Sequence, residues 1–387
     1  MDIIYKVDDD CTVLMGETGT QSDVPFCLSL ESKWDHSREF FKILGVSASQ
    51  QEESPYLKIG KALSLTKSEV FRIMPKDQRI NLMQEPYEKL IDCLYDKENE
   101  VYVQSYLRQK NFLRSLSKPL VDKNYLRKYA SDIEHDHIRQ KVTKYADSIK
   151  KTKYSMSGTS TGRLVVTDGP NILTLPSEVR GAIMPTTSNG AIYQLDLVAA
   201  EPHLALLVAE KDPPEDIYTH IADSLLESKV SRKTAKLITL SALYGQSARR
   251  LSEALPKGIN SYDVIKKTKE YFQSNRLKRI LRESLEKDNL RNILGRPLHL
   301  DKKRPDLAVS HYLQSSIAEC SILLFSEFCK QYQAEVLPFY VIHDALIFEG
   351  DKEFIDTTFK NDVVNLPMGS WNFQAKFSKV ENIYNMP

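Results

Sequence analysis

An α+β fold is what the sequence predicts, on three observations. Residues 189–209, NGAIYQLDLVAAEPHLALLVA, alternate as a strand and then run into a helix; residues 337–349, LPFYVIHDALIFE, are two apolar runs around a two-residue break; and long stretches of helical periodicity lie before and between them. At 387 residues the chain exceeds one average domain, so two or three subdomains are expected. An apolar content of 41% is enough for real cores, and 27% charged residues fit a globular protein. The net charge of +1 does not argue against a nucleic-acid partner, because a basic groove can sit inside a neutral total. Cys11, Cys27, Cys93, Cys320 and Cys329 form no CxxC and no Cys/His metal spacing, so they read as ordinary thiols of a reducing compartment. The start, MDIIYKVDDD, is acidic and has no apolar core, and no stretch reaches 18 uncharged apolar residues. The expectation is a chain of a reducing compartment with no membrane contact.

Taken in order, residues 1–30 alternate around IIYKV and CTVLM and are expected to form short strands, with Asp8, Asp9 and Asp10 in a solvated turn. Residues 31–153 look mostly helical. Within them Lys118–Lys153 is dense in Lys, Arg and His, with Tyr125, Tyr129 and Tyr145 interleaved. Such helices could track a phosphate backbone, and a solvated helical hairpin explains the same cations. Residues 154–176 are punctuated by Ser, Thr, Gly and Pro, which predicts turns and brief strands, with Arg163 in a glycine-containing loop.

In the strand over 189–197, Ile192, Gln194 and Asp196 share one face, and Ala191, Tyr193, Leu195 and Leu197 the other. A carboxylate ending an apolar strand is costly unless a cation or hydrogen bonds meet it. Glu201 follows as the chain turns into helix. Residues 212–296 read as largely helical, with one helix at Ser231–Leu243, a second over Tyr262–Glu286 and a turn at Leu294–Pro297. A further helix over 306–333 carries Gln314 near its start. The break at 337–349 is His343-Asp344, an unusual choice where Asn-Gly would turn more easily, so chemistry is the expected reason for it. The tail SWNFQAKFSKVE reads as a last strand.

Ser231 is a good N-cap, and Arg232, Lys236, Leu240 and Tyr244 recur every four residues behind it. Each step drifts about 40° on a helix, so the four make one slowly turning stripe. Two cations one turn apart suit a polyphosphate, and the apolar and aromatic groups beyond suit a sugar and a base; alone, a solvated basic face explains the stripe as well. Asp196 and Asp344 lie on either side of this helix in sequence. If their strands are neighbours, the carboxylates can hold two divalent ions about 3.5–4 Å apart, the arrangement that clamps attacking and leaving oxygens in phosphoryl transfer. Mg²⁺ suits such a site, with Mn²⁺ as an alternative.

These segments together resemble the polymerase core of family A DNA polymerases. LDLVAAE resembles motif A, SRKTAKLITLSALYG motif B, VIHDALIFE motif C, and STGRL with PNILTLP the TGRL segment; the likeness spans roughly 154–387 in the right order. It implies a right-hand fold with an antiparallel palm sheet, helical fingers and a helical thumb. The expected layout is an N-terminal segment of unassigned role at 1–60, a thumb-like region at 61–153, palm at 154–204, fingers at 205–300 and palm again at 301–387. It implies primer extension with dNTPs by two-metal nucleotidyl transfer on primer–template DNA. Asp196, Asp344 and the Leu197 carbonyl would hold metal, and Lys236 would be catalytic. Arg232, Lys236, Leu240, Tyr244, Glu201 and Tyr218 would bind nucleotide, with Glu201 as the gate against a ribose 2′-hydroxyl. Arg163, Thr161, Asn171, Gly245, Gln314, His343 and Arg296 would touch DNA. Asp132-Ile133-Glu134 resembles one proofreading-exonuclease motif, but the other acidic motifs of that module are missing, so it reads as helix surface and no proofreading is expected. A chain of this length is expected to rely on helicase, primase or processivity proteins. Departures from the family pattern are Leu240 for an aromatic residue, Ala345 for Glu after Asp344, Tyr218 for His, and Leu173-Thr174 for Gln-Asn. Two other readings stand beside this one: a single-subunit RNA polymerase, against which Glu201 argues, and a non-catalytic DNA-binding scaffold, against which the intact aspartates and Lys236 argue.

Overall fold

The computed structural model describes residues 3–7, 13–17, 26–28, 37–46, 55–64, 96–147, 149–300, 304–359 and 362–384, with a few single positions between 70 and 94. The turn expected at Asp8–Asp10 lies outside the described residues. The chain forms two compact units, Met1–Leu107 with Gly295–His299, and Arg108–Leu294 with Leu300–Pro387. The region 61–153 expected to be thumb-like is thus divided between them, and 295–299, expected in the fingers, belongs to the first unit.

The first unit has an antiparallel sheet of β1 (Ile3–Val7), β2 (Val13–Glu17) and β3 (Phe26–Leu28), in the order of the sequence, as the alternation there predicts. Helices α1 (Ser37–Ile43) and α2 (Pro55–Ala62) follow. Helix α3 (Lys97–Ser115) begins in this unit, where its Tyr106 ring stands 4.6 Å from the Phe40 ring and its hydroxyl donates to Glu39.

In the second unit, β4 (Leu120–Val121) leads to α4 (Lys123–Asp132) and α5 (Asp136–Asp147). Asp122 caps α4 by accepting from the Asn124 and Tyr125 amides. Then come β5 (Lys153–Ser155), β6 (Val165–Asp168), a 3-10 turn at Ser177–Ala182, β7 (Ile183–Met184) and β8 (Gly190–Leu197). The helices after β8 are α6 (Ala200–Val208), α7 (Ile217–His220), α8 (Arg232–Leu243), α9 (Ala248–Ser252), α10 (Ser261–Tyr271), α11 (Ser274–Glu286) and α12 (Pro305–Gln331). The chain closes with β9 (Val336–Ile342), β10 (Ala345–Asp351), α13 (Lys352–Thr358), β11 (Val363–Met368) and β12 (Trp371–Lys379). One expectation is corrected: the helix over 262–286 is two, broken at Gln273, which takes a φ of +48°. Phe272 and Ser274 are both buried there, so packing on either side of the break overrides a sequence with no Gly or Pro signal.

The main sheet is antiparallel throughout, in the order β11-β12-β8-β10-β9. One face is covered by α4 and α5, whose Leu126, Val142 and Tyr145 cluster with Ile192, Tyr340, Ile342 and Ile347; the Tyr145 and Tyr340 hydroxyls share a hydrogen bond at 2.8 Å. On the opposite face, Tyr193, Phe348 and Phe377 form an aromatic core with Phe328 of α12, ring centroids 5.7–6.2 Å apart where Phe348 and Phe377 meet Phe328 and each other. Glu349 is a buried carboxylate satisfied by four donors, the amides and hydroxyls of Thr186 and Thr187. Gly190 sits opposite this carboxylate: a Cβ there would lie 2.3 Å from Glu349 Oε1, so only glycine lets β8 begin beside it.

Phe348→Ala should destabilise the second unit by about 3–5 kcal/mol, because it empties a fully buried ring, whereas Asp122→Ala should cost about 1 kcal/mol through the lost cap. Urea denaturation of the two variants against the parent chain measures both.

Candidate active site

Strand β8 is nearly continuous in apolar residues because both of its faces are covered, and its polar members, Gln194 and Asp196, come at its far end. Val198 and Ala199 turn the chain, Ala199 with a φ of +47°, and α6 begins with Glu201 in its first turn. Strands β9 and β10 are joined by the two residues His343 and Asp344, since Ile342 pairs with Ala345. His343 takes a φ of +55°, which costs a non-glycine residue about 1 kcal/mol or more.

The condition for a paired carboxylate site is met. Strands β8 and β10 are neighbours, Ala345 is directly opposite Asp196, and the Leu197 amide donates to the Asp344 carbonyl at 3.1 Å. Asp196 and Asp344 are therefore brought together at one end of the sheet, both half-buried. The electrostatics record the crowding. Asp344 has its pKa pushed up to about 6, first by burial and then by the negative charges of Asp196 and Glu201, with Arg163 opposing. Asp196 is also pushed up by burial, against a hydrogen bond from Gln194 and the charges of Arg180 and Lys236.

Helix α8 forms as its cap predicts, Ser231 Oγ accepting from the Thr234 amide at 3.2 Å. Ala235, Ile238, Thr239, Ala242 and Leu243 face the interior, which leaves Arg232 and Lys236 exposed and Leu240 half-buried on the other side. Tyr244 ends the stripe and donates its hydroxyl to Glu201 Oε1 at 3.0 Å, and the same oxygen pairs with Arg163 at 3.3 Å. Burial and the Glu201 charge push the Tyr244 hydroxyl pKa up. Arg232 Nε donates to Asp216 at 2.7 Å, and Asp216 caps α7. The ring of Tyr218 on α7 is buried with the Arg232 guanidinium 5.4 Å and the Lys236 ammonium 5.8 Å from its centroid. Arg163, Glu201, Gln314, His343 and Asp344 line a cleft of about 50 Å³.

The sequence model of DNA polymerase family A matches residues 57–368. This chain belongs to DNA polymerase family A. The match begins well ahead of the first recognisable motif, so residues 57–153 are family sequence despite carrying none. Among solved structures, the chain is similar to the POL domain of Pol1 from M. smegmatis in complex with DNA primer-template and dNTP, at 18% identity over 56% of this chain and a TM-score of 0.46. It spans 45% of that chain's length. No curated protein matches the sequence.

Within this family A chain the remaining expected residues fall as follows. Gly245 follows α8 and Tyr244 with a φ of +70°, and a Cβ there would press on Asp306 at 3.0 Å, so two constraints select glycine. Thr161 is buried and Asn171 exposed at the start of a 3-10 turn. Arg296 is a correction to the expected set. It belongs to the first unit, is only 2% exposed, and donates to the Tyr102 hydroxyl at 2.9 Å, so its guanidinium is used in packing rather than presented to a ligand. Three residues at the site were not foreseen. Asp216, which holds Arg232, is an N-cap in sequence terms only. Gln194 was placed on the face of Asp196 by the alternation, but with no role. Arg180 reaches Gln194 Oε1 from the 3-10 turn, and nothing in its local sequence signals that.

Among the described residues, no three His, Cys, Asp or Glu side chains are placed to hold a metal by themselves. Two crowded carboxylates instead match an ion that keeps waters and takes substrate phosphate as ligand, as Mg²⁺ does. Since Asp344 has a raised pKa, it is partly protonated near pH 6 in metal-free protein, and a cation that binds the carboxylate must displace that proton. Adding Mg²⁺ at pH 6 should release protons, and the release should fade by pH 8; calorimetry in buffers of different ionisation enthalpy measures it.

Proposed function

We propose that the chain is a template-directed DNA polymerase that extends a primer 3′ end with dNTPs and has no proofreading activity of its own. The observation that carries this is the convergence, in a family A chain, of Asp196 and Asp344 on neighbouring strands with Lys236 of the cationic α8 stripe close enough to offset the charge of Asp196. Bound at Asp196, Asp344 and the Leu197 carbonyl, two Mg²⁺ ions (or Mn²⁺) would supply Lewis-acid activation and neutralise developing charge on oxygen.

The chain's own groups do the rest. The primer 3′-hydroxyl gives up its proton to solvent and its oxygen forms the new bond to the α-phosphorus, while the bond from that phosphorus to the bridging oxygen breaks, so pyrophosphate leaves. Arg232 and Lys236 bind the β- and γ-phosphates, and Lys236 delivers a proton to the leaving pyrophosphate. The buried Tyr218 ring beneath both cations keeps them on the nucleotide side. Leu240 and Tyr244 meet the sugar and base. Glu201, held by Arg163 and Tyr244, occupies the place a ribose 2′-hydroxyl would need, which favours DNA over RNA synthesis. Arg163, Gln314, His343, Thr161, Asn171 and Gly245 contact primer–template. Helicase, primase or processivity proteins are the expected partners of such an enzyme, in the cytoplasm of a bacterial cell or phage-infected host, with an organelle as the alternative setting.

Primer extension on a defined template tests the reading. Asp344→Asn should lower incorporation by about 10³-fold or more while primer–template binding stays within a factor of two or so of the parent; incorporation that persists overturns the metal assignment. Glu201→Ala should raise ribonucleotide relative to deoxyribonucleotide incorporation by about 10-fold, and an unchanged ratio removes Glu201 as the gate. If the parent chain binds DNA but extends the primer with neither dNTPs nor rNTPs, the scaffold reading is supported instead.

A further inference from the structure

We propose that Arg180 and Gln194 form a positioning relay that decides which oxygen of Asp196 is offered to a metal ion. The proposal rests on the two-metal reading above. It starts from an odd pair of side chains. Arg180 is half-buried at the end of the 3-10 turn Ser177–Ala182, and among the described residues no carboxylate lies within ion-pair distance of it. Its guanidinium instead donates to Gln194 Oε1 at 2.5 Å. Gln194 stands on the same face of β8 as Asp196, two residues before it, in a strand whose other positions are almost all apolar.

The chemistry of the two groups fixes the direction of the relay. A guanidinium can only donate, so the Gln194 amide must turn its oxygen to Arg180 and its NH₂ the other way. That NH₂ faces Asp196 Oδ2 at 3.4 Å, at the long end of hydrogen-bond distance. With Arg180 absent, the amide could flip and set its oxygen against the carboxylate. With Arg180 present, Asp196 Oδ2 always meets a donor, and Oδ1 is left for the ion. The relay also brings positive charge to a carboxylate whose own charge bears on Asp344. Arg180 acts on Asp196 from within the fold and Lys236 from the nucleotide side. Groups of this kind that touch the ligand rather than the ion typically tune metal affinity. Neither residue touches substrate in this arrangement; both are positioning residues.

The test is Mn²⁺ binding to the full chain with a non-extendable primer–template, read by electron paramagnetic resonance, with the metal-free melting temperature measured alongside. Gln194→Met and Arg180→Met should each weaken Mn²⁺ binding about 10-fold. The double variant should be no weaker than either single one, because the two residues act as one path. Arg180→Lys, which keeps a donor and a charge, should recover part of the loss. Extension at saturating Mg²⁺ should be restored more fully than extension at limiting Mg²⁺. Unchanged Mn²⁺ affinity in Gln194→Met, or fully additive losses in the double variant, overturns the relay. If a methionine variant melts far below the parent, Arg180→Lys and Gln194→Asn take its place: a shorter amide that no longer reaches Asp196 should weaken Mn²⁺ binding, and an unchanged affinity again overturns the relay. Asp196→Asn separates the two levels of the argument. If it binds Mn²⁺ as the parent does, the metal site itself is misplaced and the relay falls with it; if it loses Mn²⁺ while the relay variants do not, the relay alone is wrong.

Discussion

The pairing of β8 with β10 is the constraint on which the rest depends. Side chains alternate across a strand, so a slip of one residue would carry Asp196 to the opposite face and away from the turn that bears Asp344. The register is pinned along its whole length. At one end the Leu197 amide reaches the Asp344 carbonyl; in the middle Tyr193 stacks on Phe348; at the other end Gly190 makes room for the buried Glu349 carboxylate. The aromatic core beneath α12 and the cluster beneath α4 and α5 cover the two faces of the same strands, so packing and register support each other.

That scaffold holds an arrangement that is electrostatically unfavourable by itself. Asp196 and Glu201 both bear on the buried Asp344, and its raised pKa is the sign of burial and of that charge. Arg163, Arg180 and Lys236 offset it from three different elements: a loop, a 3-10 turn and the α8 helix. Tyr244 ties α8 to α6 through Glu201, so the cationic stripe and the carboxylates are joined by hydrogen bonds and not only by proximity. A site with surplus negative charge and nearby cations on an exposed helix face is suited to divalent ions and a polyphosphate together. The departures from the family pattern fall around this set without removing any of it: Ala345 lies opposite Asp196, Tyr218 packs below Arg232 and Lys236, and Leu240 remains half-buried on the stripe.

Much of this was legible in the chain. The α8 cap, the strand-to-helix passage at 190–208, the two-residue turn at His343-Asp344 and the terminal strand all follow from local patterns, because each is set by backbone chemistry and alternation over a few residues. The break at Gln273 was not legible, since a glutamine carries no turn signal and the left-handed conformation there is imposed by the packing of Phe272 and Ser274. Arg296 was expected to touch DNA from the family resemblance alone, and its burial beside Tyr102, which no local pattern signals, places its guanidinium inside the fold.

By itself, then, the sequence determined the elements, the carboxylate-bearing strand ends, the cationic stripe and the family, because these are encoded in spacings that local physics enforces. Tertiary structure alone decided that β8 and β10 are neighbours in the register that joins Asp196 to Asp344, that Glu201 is shared by Arg163 and Tyr244, and that Arg180 reaches Asp196 through Gln194. These are contacts between residues distant in sequence or in direction, and their geometry depends on how whole layers pack, which no local pattern records.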